Sequence, residues 1–544
     1  GEKDLWEIWR KRLQEHLGWK DGETPSDEGN LRRKVQAAIL LADLICYDSS
    51  LADRFRFICP DSIKCQALSQ LARRWRDSAA WQAIYRNVTT EVEREYDLRN
   101  KVCLSEAMII AETFRFIDDL WMEELRLAVR QDGGHFGEKA GSLREIAKTR
   151  KELFWARHDG EIRKFWEAVE LAAEIWFRSQ NAIMMSETLR VADEFISHYA
   201  REWWYVDYCA LRLAAAQTSL DSGDKDRFVN PAWIAYRRFL DSVNRRFMGS
   251  VRREGWKPNQ WSFWDEVRLG QGKTAIFLVD ALRFDLAKHL EKSLKGVVEF
   301  QIRPLKALLP SITEIGMAAL LPESRRLCVD WEEGTLSVKV EDIEITSRVQ
   351  RTNRLKQVVG KKLKVVDLEE LKTADLGNVT TLVVLSRELD KFGSFAADLH
   401  PLGLFEMVDR IAENLRLAVE KGFQTLFVVA DHGFLFAPEG CKPSTVPAIS
   451  DRILAKRRFI VGGQAEGYWG VRADEMGLQG NLLFSFPEGF SIFGLPGEPE
   501  NFFHGGLSLQ ESVIPMLCGR ASVVPKIAVR IKFQQPISSR ILKL

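Results

Sequence analysis

Three continuous apolar runs do most to restrict the fold: Ala275–Val279, Thr380–Leu385 and Thr425–Ala430. Each is too short for a helix and shows no polar alternation, which is the pattern of a strand buried on both faces. Between and beside them stand stretches with helical spacing, Arg283–Leu294 and Leu402–Val419, and a further strand-like run, Val297–Ile302. Buried strands alternating with helices predict an α/β fold, a mostly parallel sheet with helices on both faces.

The residues ahead of this region read differently. Fifteen of the 17 tryptophans lie between Trp6 and Trp264. Apolar residues recur there at three- and four-residue spacings in Asp4–Leu17, Leu31–Leu44, Asp61–Trp75, Ala107–Val129, Ile162–Phe177 and Pro231–Val251, as helices with one buried face require. An all-α domain is therefore expected over residues 1–265, ahead of an α/β domain over 266–524. The abundant Trp and Arg read as helix packing and solvated faces rather than as a nucleic-acid surface. Two insertions are expected in the α/β part. Near 323–364, Leu336–Ile345 alternates like a hairpin strand and Arg348–Lys364 reads as a basic helix; near 441–497, a Gly-rich region reads as short antiparallel strands and loops. Residues 525–544 read as the start of a C-terminal β segment, and the chain as a fragment of a longer one.

Composition narrows the class. Lys plus Arg is 78 and Asp plus Glu 77, a net charge of +1, which excludes a globally basic nucleic-acid coat and an acidic tail. No apolar run approaches the ~18 residues of a membrane span, and Gly1-Glu2-Lys3-Asp4 lacks the apolar core of a secretory signal. The eight cysteines are scattered without a C-x-x-C pair and read as reduced, singly buried thiols. A cytoplasmic protein without a membrane partner follows. Gly270-Gln271-Gly272-Lys273-Thr274 is not a phosphate-binding P-loop: Val267 stands where the first Gly is needed, and a strand rather than a helix follows.

Four segments place chemically useful residues at strand or helix ends. Asp280 closes the first strand in Val279-Asp280-Ala281-Leu282-Arg283, the edge where open parallel sheets bind ligands; the alternative is a cap for the next helix. Thr313, in Leu309-Pro310-Ser311-Ile312-Thr313, stands in the first turn of a helix. Its hydroxyl could attack phosphorus while unpaired backbone N–H groups hold phosphoryl oxygens, or Ser311 or Thr313 could simply cap. Asp431-His432-Gly433 follows a buried strand, where charge is costly unless it is paired or metal-bound. His504, in His504-Gly505-Gly506-Leu507-Ser508, offers an imidazole nitrogen beside two glycines.

Taken together and in this order, these segments resemble the alkaline phosphatase superfamily, and more closely its PglZ domain, over about residues 270 to 520. The stretch containing Trp203, Trp204 and Asp207, and that containing Pro231 and Trp233, are similar to the region preceding PglZ domains in BREX phage-defence proteins. The resemblance implies an alkaline-phosphatase-like domain in which Asp280, Asp431 and His432 hold one metal and Thr313 is the nucleophile. His504 and Asp390 then hold a second. The cofactor implied is one or two zinc ions, with manganese or magnesium as alternatives. The activity implied is phosphodiester hydrolysis on nucleotide or nucleic-acid phosphates in anti-phage defence, alongside other BREX proteins. Arg283 is expected to contact the substrate phosphate, with a surface ion pair as the alternative. Clustered basic residues (Arg348, Arg351, Arg354, Lys356, Lys361, Lys362, Lys364, and Lys456, Arg457, Arg458) suit a phosphate-rich substrate as well as a solvated face. One departure stands out. In the superfamily a His commonly follows the second-site Asp by four residues, but here that position is Ser394, and the next His is His400. This leaves a weakly held or absent second ion, or a non-catalytic scaffold, as alternatives; a phosphomonoesterase is a third, which the residues do not separate from a diesterase.

Overall fold

Six strands gather into one sheet in the computed structural model, which describes residues 2–20, 22–56, 62–267, 272–395, 401–449, 452–463, 468–495 and 501–522. They are β1 (Thr274–Val279), β2 (Val298–Lys306), β3 (Leu363–Asp367), β4 (Thr381–Ser386), β5 (Thr425–Ala430) and β6 (Val513–Ala521). Their order across the sheet is β2-β6-β5-β1-β4-β3. β1 runs parallel to both β4 and β5, and β3 parallel to β4. β6 is antiparallel to β5 and to the edge strand β2. Every residue of β1 is buried, so the sheet is covered on both faces and an apolar side chain is required at each position. The exposed edge strand β2 alternates instead. The mostly parallel α/β fold expected from the apolar runs is the one observed.

Helices Phe284–Ser293 and Leu402–Glu420 pack on each other, and the helix Trp204–Ala216 of the N-terminal region packs against both. Apolar side chains from Leu17 to Leu517 form one contiguous core cluster. Trp166 and Trp233 are among its largest fully buried members, in keeping with tryptophan as packing material.

Several details differ from the sequence expectation. Ala107–Val129 is not one helix: a short turn, Glu106–Ile110, precedes a separate helix, Phe116–Ala128. The break is held open by Arg150, buried on Asp118, whose Nη1 donates to the carbonyls of Ile109 (3.2 Å) and Ala111 (2.6 Å). The basic stretch 348–364 is a helix only over Arg348–Val359; Gly360 turns the chain at φ 93, and Leu363 and Lys364 already belong to β3. The hairpin expectation gives a three-stranded meander, Leu327–Glu332, Thr335–Val340 and Ile343–Glu344. In the 441–497 region a four-stranded antiparallel sheet is joined by one parallel pair, Ser444–Val446 with Ser491–Phe493. The cysteines are not uniformly buried thiols: Cys46 and Cys103 are exposed, Cys209 and Cys441 buried, and Cys65 is disulfide-bonded. Cys59, Gly270, Gln271, His400 and the expected segment 525–544 lie outside the described residues. Among the described residues no helix is long and apolar enough to cross a membrane.

Candidate active site

The register of the central strands assembles the site. Val279 at the end of β1 pairs with Ser386 at the end of β4 and with Ala430 at the end of β5. The residues that follow, Asp280 and Asp431, therefore emerge side by side at one edge of the sheet. Ala281, at φ 59, turns its N–H onto Asp431 Oδ1 at 3.0 Å, and the His432 N–H reaches the same oxygen at 2.8 Å. Asp431 Oδ2, by contrast, is buried with no hydrogen-bond partner. Ligand atoms of Asp280, Asp431 and His432 lie within 4.8 Å of one another.

Neither capping alternative is realised. The residue capping the helix after β1 is Arg283 rather than Asp280, and the helix Thr313–Ala319 is capped by Ile312 without a side-chain bond. The Thr313 hydroxyl turns instead to the acid and imidazole cluster, 3.3 Å from Asp280 Oδ1 and 3.3 Å from His432 Nε2. Ser311 ties this helix start to the last motif: its Oγ donates to the Gly506 carbonyl (2.9 Å) and accepts from the Gly505 N–H (3.2 Å). That loop delivers His504, whose ring stacks on His432 with centroids 4.4 Å apart and planes within 7°. His504 Nε2 is 3.6 Å from Asp390 Oδ1. The structure thus brings together all six residues expected as nucleophile or ligands: Asp280, Thr313, Asp390, Asp431, His432 and His504.

The electrostatics suit a cation. Burial, then the neighbouring Asp431 and Asp390, holds the Asp280 carboxyl well above the usual range, and burial raises Asp431 as well. Desolvation and the facing His432 push His504 down to about 4, so it stands as a neutral imidazole with lone pairs to give. Three carboxylates and two imidazoles, one carboxylate oxygen lacking a hydrogen bond, form a donor set of the kind that binds a zinc-class ion. The residues fit such a group at Asp280, Asp431 and His432. The second position has His504 and Asp390, with Ser394 one helical turn further along Glu388–Phe395.

Two basic residues are not where the sequence suggested. Arg283 does not face a substrate: it is fully buried, clamped by Nε and Nη2 to Asp285 at 2.6 and 2.8 Å, with its guanidinium 4.6 Å over the Phe434 ring. Arg458 is buried on Glu511 (2.7 Å), and Glu511 in turn accepts the Gly506 N–H at 2.8 Å, so this pair holds the His504 loop. Lys456 and Arg457 do line a cavity of about 750 Å³ that opens on Thr313, His504 and Asp390. A smaller cavity, about 120 Å³, lies beside Asp280 and Thr313 and is rimmed by Arg348, Arg351 and Arg387. Burial lowers the Arg351 pKa against the pull of Asp431, Glu314 and Asp280. Arg354 is engaged elsewhere, with Glu323 and Glu341.

Sequence reasoning missed Trp331, which the meander brings to the larger cavity, and Gln260, whose Nε2 donates to the carbonyls of Asp431 (2.8 Å) and Gly316 (3.2 Å). Both arrive from distant positions, and no local pattern marks either of them.

Sheet order and the loops at its edge define a mostly parallel α/β domain with an acid and imidazole cluster at one edge. The chain matches, over residues 263–518, the family described as the BREX system PglZ alkaline phosphatase-like domain. It is 29% identical over 440 residues to the alkaline phosphatase-like protein BrxZ of Escherichia coli O9:H4 (strain HS), over 75% of this chain and 45% of that protein. It is 23% identical over 403 residues to the alkaline phosphatase-like protein PglZ of Bacillus cereus (strain H3081.97), over 69% of this chain and 46% of that protein. The chain therefore spans about half the length of the curated relatives it matches. Among solved structures, murine ectonucleotide pyrophosphatase / phosphodiesterase 5 aligns with a TM-score of 0.33 at 12% identity, covering 46% of this chain and 88% of that one. Phosphonoacetate hydrolase from Sinorhizobium meliloti 1021 aligns at 0.33 and 10%, covering 46% and 90%.

Proposed function

We propose that this chain is a metal-dependent phosphohydrolase, a phosphodiesterase acting on nucleotide or nucleic-acid phosphates in cytoplasmic anti-phage defence, with Thr313 as its nucleophile. The observation that carries the reading is the Thr313 hydroxyl, 3.3 Å from both Asp280 and His432, in a buried cluster where Asp431 Oδ2 accepts no hydrogen bond. Asp280, Asp431 and His432 would hold one ion, zinc first and manganese or magnesium otherwise; His504 and Asp390 would hold a second. Bound there, an ion supplies positive charge against the Thr313 alkoxide and the phosphoryl oxygens. Attack by Thr313 Oγ1 on phosphorus breaks the bond to the leaving alcohol and forms a Thr313 phosphoester, which water then hydrolyses. Asp280 and His432 orient the hydroxyl. Lys456, Arg457 and Trp331 line the larger cavity, giving positive charge for a phosphate and an aromatic face for a base.

The test is metal analysis of the purified chain together with rates on aryl phosphodiesters and monoesters. Zinc-class metal bound, diester turnover stimulated by it, and loss of turnover in Thr313→Ala support the reading. No metal and no such turnover overturn it. Faster monoester turnover would reassign the enzyme as a phosphomonoesterase. Ser394 in the place of the expected His favours a second reading, a non-catalytic scaffold for other BREX proteins; a folded chain that binds its partners but turns over neither ester is its signature.

A further inference from the structure

The metal-bearing loops are held from outside the family-matched segment, by a buried polar network centred on Asp207. Its carboxylate is fully buried and accepts from three donors: Tyr199 Oη (2.9 Å), Tyr236 Oη (2.7 Å) and Gln510 Nε2 (3.1 Å). Its backbone carbonyl accepts from Arg283 Nη2 at 3.3 Å. Gln510 Oε1 accepts from Asn244 Nδ2 (3.0 Å), and Asn244 Oδ1 accepts the Leu509 N–H (2.9 Å). Tyr199, Asp207, Tyr236 and Asn244 all belong to the N-terminal helices, whereas Arg283 and residues 509–511 belong to the α/β segment.

This network ends on both ligand loops. Arg283 follows Asp280 by three residues, and its guanidinium covers Phe434, two residues after His432. The Gly433 N–H donates to the Glu511 carbonyl at 2.9 Å. A Cβ on Gly433 would stand 2.1 Å from the Gln510 carbonyl oxygen, so backbone 510 is the wall against which the Asp431–His432 turn rests. We propose that Asp207 and Gln510 are positioning residues through which the helical region sets the Asp431–His432 metal loop, making that region part of the active site rather than an appended module. The proposal rests on the metal reading given above.

Asn at 207 offers a single acceptor oxygen where the carboxylate offers two, so at least one of the three bonds fails. Outer-shell partners of metal ligands are typically worth about 10–100-fold in affinity or activity. The experiment compares the whole chain with Asp207→Asn, Gln510→Ala and Gln510→Glu, in three measurements. These are zinc affinity by chelator competition, kcat and KM on an aryl phosphodiester, and amide exchange at Gly433 in the metal-free chain. Expected are about a tenfold or larger loss of zinc affinity, a fall in kcat with KM within about twofold, and faster Gly433 exchange before any metal is added. Asp207→Asn combined with Gln510→Glu, which returns an acceptor across the contact, should recover part of the loss. Folded single variants with wild-type zinc affinity and wild-type Gly433 exchange, less stable only globally, overturn the proposal. A wild-type chain that binds no zinc overturns the function reading instead, while the Gly433 exchange still reports on the network.

Discussion

Gly316→Ala gives a severe test of the site because helix chemistry and site geometry pull it in opposite directions. Gly316 is the fourth residue of the helix that Thr313 opens. In an ordinary helix interior, Ala is favoured over Gly by about 1 kcal/mol. Here the added Cβ would lie 2.6 Å from the Asp431 carbonyl oxygen and 2.9 Å from its Cβ. Backbone cannot swing aside as a side chain can, so reaching ordinary contact near 3.4 Å requires the two segments to part by roughly 0.8 Å. Overpacking of this kind costs about 1–3 kcal/mol. Against the helix gain, the net loss of stability is therefore small, about 0–2 kcal/mol. On the proposed function, however, the displaced pair carries the nucleophile and a metal ligand, and a shift near 1 Å at reacting groups costs about 100-fold in rate. Gln260, which donates to both carbonyls, resists the separation and concentrates it at the site. Thermal unfolding, kcat on an aryl phosphodiester and zinc affinity would be measured on the same preparations. Gly141→Ala serves as the control, since a Cβ there meets nothing within 4 Å, and it should stabilise slightly. If Gly316→Ala retains kcat and zinc affinity within about twofold, the close approach of the helix to Asp431 has no functional weight and the reasoning is wrong.

Three further outcomes follow from the same geometry. Replacing Arg458 by Met should lower stability by about 3–5 kcal/mol in denaturant titration, because Glu511 is left charged and buried without its partner. Zinc affinity should fall as pH is lowered from 8 towards 5, with protons released on binding: the raised Asp280 and Asp431 carboxyls keep protons that the metal must displace. Calorimetry in buffers of different ionisation heat checks this, and no proton release at pH 6 would contradict it. Ser394→His places an imidazole one helical turn after Asp390, and should raise the metal bound per chain by mass spectrometry if 390 and 504 form a second site.

What could be read from sequence divides along physical lines. β1, β4 and β5 were legible because burial on both faces demands apolar residues at every position. Asp280, Asp431 and His432 were legible because a charge at the end of such a strand is costly and therefore conspicuous. Arg283 was misjudged for a related reason. Sequence places it three residues from Asp280, but the cap of helix Phe284–Ser293 turns it inward to Asp285 and the Asp207 carbonyl. Arg458 follows Lys456 and Arg457 in the chain and reads as part of the same basic cluster, yet its partner Glu511 lies 53 positions away. Trp331, Gln260 and Asp207 act on the site only through contacts that close over long stretches of chain, and such contacts leave no local spacing.

The charge balance at the site argues for a cation independently of any resemblance. Asp280 and Asp431 are buried, and Asp390 adds a third carboxylate facing them. The protein's own compensation is thin: two N–H groups reach Asp431 Oδ1, and the Thr313 hydroxyl reaches Asp280. Arg351 is drawn towards these carboxylates, but its Nη1 is already committed to the carbonyls of Ile345 and Thr346. Arg283, also close in sequence, is paired with Asp285 instead. Without an ion, the cheaper state keeps protons on Asp280 and Asp431, which is the direction in which both are shifted. Two buried acids beside two imidazoles make a poor structural core, since an apolar cluster of equal volume would hold the sheet edge at lower cost. Aspartates kept at that edge, with one carboxylate oxygen lacking a hydrogen bond and a hydroxyl aimed at them, support the proposed place for a metal and a phosphoryl group.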